Sequence, residues 1–105
     1  MDIGKIELGW KYNQKAIKIK GTKTEINILK EAVSKSVETP YTYNRLSILL
    51  SKEGKRNEAI EVCKKYQIIM NKRLKFRRAK GYTEDISPTE RAILKRLNSL
   101  DNKSV

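Results

Sequence analysis

One stretch of the chain constrains the fold more than any other, because its small and large residues recur at the spacing that two closely packed antiparallel helices need. A glycine near its middle marks the turn, since glycine readily adopts the left-handed conformation that ends many helices. The residues are Tyr43, Leu46, Ser47, Leu50, Gly54, Ala59 and Cys63. The pattern predicts a helical hairpin, which is a scaffold for binding and carries no catalytic group of its own.

The length and composition favour one small helical domain. The chain has 105 residues, of which 38% are hydrophobic and 7% aromatic, so a thin helical core is expected over residues 1–105. No apolar run approaches the roughly 20 residues of a membrane span. The N-terminus also lacks the basic and apolar regions of a secretory signal. The sequence therefore predicts a soluble, cytoplasmic protein without a membrane partner.

Apolar periodicity and capping residues divide the chain into five predicted helices. The segments Thr22–Glu25 and Ser87–Glu90 have the spacing of capping boxes at helix starts. Pro40 suits the first turn of a helix, and Asn57 is a natural N-cap for the helix after Gly54. The predicted helices cover about residues 6–19, 23–36, 41–52, 57–80 and 88–100, and the residues from 101 onwards are expected to fray.

The first of these segments is ambiguous, because apolar residues alternate with polar ones from Ile6 to Tyr12. Such alternation is typical of a half-buried strand, which would pair with residues 16–19 in a hairpin. An isolated two-stranded ribbon has little stability, however, and every later segment is helical. We therefore favour a helix that ends at Gly21.

The predicted hairpin resembles the tetratricopeptide repeat (TPR), whose repeats are 34-residue helix pairs. The likeness is best over residues 40–67 and weaker in the first pair, where Gly9, Asn13 and Glu25 stand in place of an aromatic and two small residues. In the second pair, Tyr66 replaces a small residue. The resemblance implies an all-α fold of antiparallel helical hairpins in a right-handed, TPR-like stack, with a C-terminal capping helix.

The resemblance also implies a binding groove, because the first helix of each pair lines the concave face of such a stack. The expected function is a non-enzymatic interaction module that binds an acidic protein or peptide, as a regulator or inhibitor of that partner. Trp10 is either a recognition residue or a core anchor, and we favour the core. The implied groove residues are Trp10, Lys11, Gln14, Lys18, Tyr41, Asn44, Arg45 and Lys52.

A second candidate site follows from charge. The formal net charge of +12 creates a field that attracts polyanions, although a Lys-, Ile- and Asn-rich composition from an AT-rich genome explains much of it. Cations cluster without an acid near the end of the fourth helix, where Phe76 and Tyr82 offer rings for base stacking. The alternative function is therefore a nucleic-acid-binding accessory protein. Its candidate residues are Lys72, Arg73, Lys75, Phe76, Arg77, Arg78, Lys80 and Tyr82.

Catalysis is not expected, because the usual chemical groups are missing from the sequence. It contains no histidine and a single cysteine, Cys63, which we interpret as core filler. No carboxylate cluster has metal-ligand spacing, and no glycine-rich loop precedes a helix. We predict neither cofactor nor metal. Size and composition also suit a phage or mobile-element regulator, and the apolar end of a short stack leaves homo-oligomerisation open.

Overall fold

The computed structural model describes residues 3–83 and 85–102, and within these ranges the protein is all-α. Five helices follow one another without an intervening strand, as the sequence predicts. The predicted fraying from residue 101 concerns in part residues 103–105, which lie outside the described ranges, while residues 101 and 102 continue the last helix. The helices are α1 (Ile3–Lys18), α2 (Lys23–Ser34), α3 (Pro40–Lys52), α4 (Arg56–Ala79) and α5 (Pro88–Asn102).

The boundaries differ from the predicted ones for local reasons. The N-terminal segment is a helix that begins at Ile3, so the hairpin alternative is wrong. Helix α2 ends at Ser34, two residues early, and Ser36 adopts a left-handed φ of 55° in the turn that follows. Helix α4 begins at Arg56 with Lys55 as its N-cap, so the predicted cap at Asn57 is wrong.

The two predicted capping boxes behave differently. At α5, the Ser87 hydroxyl accepts from the Glu90 N–H at 3.2 Å, and the Glu90 carboxylate accepts from the Ser87 N–H at 3.0 Å. This box is confirmed. At α2, the Thr22 side chain caps no N–H of α2 and instead donates to the carbonyl of Ile19. The Glu25 carboxylate reaches back, but to the N–H of Gly21.

Helix α3 lies at the centre of the packing. Each helix contacts the next one along the chain, and α3 contacts α1 and α5 as well. All the motif residues of the predicted hairpin except the exposed turn residue Gly54 are buried, and the rings of Tyr43 and Tyr66 lie 5.2 Å apart. Cys63 is also fully buried, which confirms its interpretation as core filler. The apolar core comprises Tyr12, Ala16, Leu29, Ala32, Val37, Tyr43, Leu46, Leu50, Ala59, Cys63, Tyr66, Met70, Ile93 and Leu97.

The three first-pair residues that depart from the repeat pattern are all buried. A Cβ at Gly9 would lie 2.3 Å from the Thr39 hydroxyl oxygen, so only glycine lets α1 approach the start of α3 this closely. About one helical turn further along α1, the Asn13 side-chain oxygen accepts a hydrogen bond from the Thr42 hydroxyl at 2.6 Å. Glu25 is the third of these residues. At these three positions the first pair therefore uses a close backbone approach and polar contacts, alongside the apolar contacts that Ala16 and Leu29 make in the core.

Candidate binding surfaces

Glu25 forms a buried ion pair that ties α2 to α3. Its carboxylate accepts from Arg45 Nε at 2.7 Å and from Arg45 Nη2 at 3.1 Å, and the Gly21 N–H adds a third bond at 3.0 Å. The Arg45 hydrogen bonds and the Gly21 N–H outweigh the cost of burial and lower the pKa of Glu25. Arg45, predicted for the groove, therefore neutralises an internal carboxylate.

Glu90 forms the corresponding pair between α5 and α4. Arg73 donates to both of its oxygens, at 2.5 Å and 3.0 Å, and the Tyr66 hydroxyl donates to one of them at 2.6 Å. Burial alone would raise the pKa of Glu90, but these bonds and the Ser87 N–H lower it overall. Arg73, predicted to bind polyanions, is thus half of a structural pair. Tyr66, the bulky departure from the repeat pattern, supplies the third partner.

The other predicted groove residues fall into separate environments. Asn44 accepts a hydrogen bond from Arg96 of α5 at 2.6 Å, so part of the expected α3 surface is covered. Tyr41 is half-buried. Trp10 is 58% exposed, so our preferred interpretation of it as a core anchor is wrong. The remaining members are exposed side chains of α1 and α3, namely Lys11, Gln14, Lys18 and Lys52.

The basic end of α4 keeps two aromatic rings in solvent. Phe76 is 50% exposed and Tyr82 is 59% exposed. The Lys80 ammonium lies 5.8 Å from the centre of the Phe76 ring, and the Arg77 guanidinium lies 5.6 Å from that of Tyr82. Arg77 also donates to the carbonyl of Thr83 at 2.5 Å. Lys72, Lys75, Arg78 and Lys80 are exposed.

A cleft of about 480 Å³ opens where the start of α1, the α2–α3 loop and the second half of α4 meet. We call it the end cleft. Four cations and one acid line it together with isoleucines of α4, one of which, Ile68, is 58% exposed. The lining residues are Lys5, Ser36, Glu38, Lys65, Ile68, Ile69, Lys72 and Arg73.

Two of the lysines in the end cleft are held by the end of α2. Lys5 Nζ donates to the carbonyl of Lys35 at 2.8 Å, and Lys65 Nζ donates to the carbonyl of Val33 at 2.6 Å. Cations are stabilised at this position, because the last carbonyls of a helix carry partial negative charge. The hydrogen bonds fix the position of the ammonium groups without removing their charge.

Trp10 lies beside the end cleft. A smaller depression of about 200 Å³ joins Trp10 and Ile6 to Pro40, and it shares Glu38, Ile69 and Arg73 with the end cleft. The structure therefore brings Trp10, from the predicted groove, near Lys72 and Arg73, from the predicted polyanion site.

Sequence reasoning missed six of the eight residues that line the end cleft, among them Lys5, Lys65 and Ile68. Lys65 and Lys72 are seven residues apart, which places them on one face of a helix, and that spacing was available as a signal. The participation of Lys5 had no such signal, because it depends on where the start of α1 packs against the end of α2 and the α2–α3 loop. Local periodicity cannot predict a contact of this kind between segments that are far apart in the chain.

Two kinds of site are absent from the described residues. No group of three or more histidine, cysteine, aspartate or glutamate residues is placed to hold a metal ion within residues 3–83 and 85–102. In the same part of the chain, no helix has the length and apolar character needed to cross a membrane.

These features define a small, basic, all-α protein with exposed aromatic and cationic side chains around one end of the helix bundle. Comparison of the chain with protein-family models, with curated proteins and with solved structures finds no match.

Proposed function

We propose that this protein is a non-enzymatic interaction module that binds an acidic protein or peptide partner. The observation that carries the proposal is the exposure of Trp10 beside the cation-rich end cleft. Exposed tryptophan is uncommon on a surface and frequent in binding sites, because one side chain supplies a large contact area. Cations around such an anchor favour a partner that carries carboxylates.

A TPR-like stack is the architecture that we propose for this module. Two helical hairpins, α1 with α2 and α3 with α4, are followed by α5. Helix α3, the first helix of the second hairpin, contacts α1, the first helix of the first hairpin, and also contacts α5. Gly21 and Gly54 both adopt positive φ, 88° and 77°, at equivalent turns. In this arrangement α5 covers the end of the second pair, as a capping helix would.

Trp10 provides a direct test, because it is the only tryptophan of the chain. We expect a Glu- and Leu-rich acidic peptide to shift the fluorescence emission of Trp10 to shorter wavelength as the ring leaves water. The counterpart peptide with Lys in place of Glu should not do so. Lys72→Glu should lower the affinity for the acidic peptide by roughly tenfold at low salt, because it reverses a charge of the end cleft.

Lys95→Glu is the matched control, since it changes the net charge equally but lies on α5 and does not line the end cleft. It should lower the affinity for the acidic peptide much less than Lys72→Glu does. Equal losses in both variants would show attraction by net charge alone. An unchanged spectrum with every acidic peptide would refute the proposed function.

Nucleic-acid binding is a second candidate function, favoured by the exposed rings of Phe76 and Tyr82 next to cations. A single-stranded oligonucleotide would contact phosphates through lysines and stack its bases on these rings. In that case the affinity should fall steeply with salt. Phe76→Ala should make the free energy of oligonucleotide binding less favourable by about 1–3 kcal/mol. Fluorescence polarisation of a labelled oligonucleotide measures both. An affinity that is insensitive to salt and to this substitution would exclude nucleic-acid binding at this surface.

A further inference from the structure

The exposed apolar residues of α1 have a regular spacing that the core does not explain. Ile3, Trp10 and Ile17 are 71%, 58% and 54% exposed. They lie seven residues apart, so they form one narrow stripe that drifts by only about 20° per step along the helix. The stripe spans about 21 Å at 1.5 Å per residue. We call these three residues the α1 ridge.

The α1 ridge borders the buried side of its helix on one flank and cations on the other. Asn13 and Ala16, on the first flank, are buried beneath α1. Lys11 and Lys18 are exposed on the second flank, and they also lie seven residues apart. Glu7 is the one acidic residue of α1. A partner on the ridge would therefore meet an apolar line with a mainly positive border.

We infer that the α1 ridge docks an amphipathic α-helix of an acidic partner protein, an inference that rests on the proposed function and names the kind of partner. A seven-residue repeat of apolar side chains fits another helix, because a helix presents its own apolar residues at the same interval. Glutamate or aspartate residues beside those apolar positions would face Lys11 and Lys18. The partner helix needs about 14 residues to cover the stripe.

Charge distinguishes this occupant from a second copy of the chain. Two copies meeting through the α1 ridge would bring Lys11 and Lys18 of both chains together, and each chain carries a formal net charge of +12. Like charges at an interface weaken association, whereas opposite charges strengthen it and fix its register. An acidic helix satisfies both the apolar spacing and the positive border.

The test uses designed helical peptides of about 18 residues, long enough to span the ridge. One peptide carries leucine on a single face at heptad spacing, with glutamate elsewhere, and a second has the same composition in scrambled order. We expect the heptad peptide to gain helical circular dichroism on binding and to bind at least tenfold more tightly than the scrambled one. Equal affinity for the two peptides would overturn the inference.

Ile17→Asp tests the ridge itself, because it places a carboxylate at the C-terminal end of the apolar line and leaves Trp10 as reporter. We expect at least a tenfold loss of affinity for the heptad peptide. Phe76→Asp is the matched control, an almost equally exposed apolar residue near the end of α4 and outside the α1 ridge, and it should change the affinity less than twofold. Circular dichroism of each free variant confirms that the fold is retained.

The outcomes separate this inference from the proposed function. If Ile17→Asp leaves binding intact while Lys72→Glu weakens it, an acidic partner binds at the end cleft and the ridge inference is wrong. If no acidic peptide binds, the proposed function itself fails. Sedimentation that shows a dimer of the chain alone, dissociated by Ile17→Asp, would identify a second copy as the occupant and also overturn the inference.

Discussion

Glu90→Ala should destabilise the protein by about 3–5 kcal/mol, because it leaves a buried guanidinium without its carboxylate. The Glu90 side chain is 2% exposed and that of Arg73 is 20% exposed, so water cannot fully replace the lost partner. The substitution also leaves the Tyr66 hydroxyl and the Ser87 N–H without their acceptor. Chemical denaturation followed by circular dichroism measures the change in the free energy of unfolding.

Glu53→Ala is the control for this prediction. Glu53 pairs with Lys55 at 3.4 Å, but both side chains are nearly half exposed, so the pair contributes less than about 1 kcal/mol. A loss at Glu90 no larger than that at Glu53 would show that the Arg73 pair does not hold α5 on α4. Glu90→Gln should fall between the two, because it keeps the shape of the side chain and removes its charge.

The predictable part of the fold is the part that depends on local sequence. The capping box at Ser87, the first-turn position of Pro40 and the positive φ of Gly54 each follow from residues close together in the chain, and the structure confirms all three. Hydrophobic periodicity also identified Tyr43 and Leu46 as buried. These features are properties of one helix or one turn.

The sequence did not predict which cations would be used inside the protein. Arg45 and Arg73 look like free surface charges in the sequence, because their partners are 20 and 17 residues away. The partners themselves were visible: Glu25 departs from the repeat pattern, and Glu90 was assigned only a capping role. A carboxylate in a slot meant for a small residue is a signal of a buried ion pair, since burial of an unpaired charge is too costly.

Trp10 is the opposite case, since it was predicted to be buried and is exposed. Here too the outcome depends on contacts between distant parts of the chain. The only tryptophan of a short chain is predicted to lie in the core, but Gly9 and Asn13 occupy the buried face of α1 beside α3. Trp10 follows Gly9 directly and is turned by about 100° around the helix, towards solvent. The close packing at Gly9 therefore determines the exposure of its neighbour, and that packing depends on the position of Thr39 in the fold.

Arg45→Glu should be among the most destabilising substitutions of a charged residue in this protein. It places a second carboxylate against Glu25, whose side chain is 1% exposed, where an ion pair stood before. Loss of the pair alone costs about 3–5 kcal/mol, and repulsion between two carboxylates adds to that cost. Urea denaturation at neutral pH should show a large fall in the midpoint, and the variant should recover part of its stability as the pH is lowered and the carboxylates become protonated.

The double variant Glu25→Arg with Arg45→Glu provides the decisive comparison. If the two side chains interact as the structure shows, the swapped pair should recover at least about 1 kcal/mol relative to the sum of the single variants. Lys52→Glu, an exposed residue at the end of the same helix, should cost less than about 1 kcal/mol. Additive effects of the two single substitutions would contradict the pair. A loss of partner binding in Arg45→Glu alone would therefore report unfolding. A loss in Lys52→Glu that exceeds the loss in Lys95→Glu would report a contact with the partner.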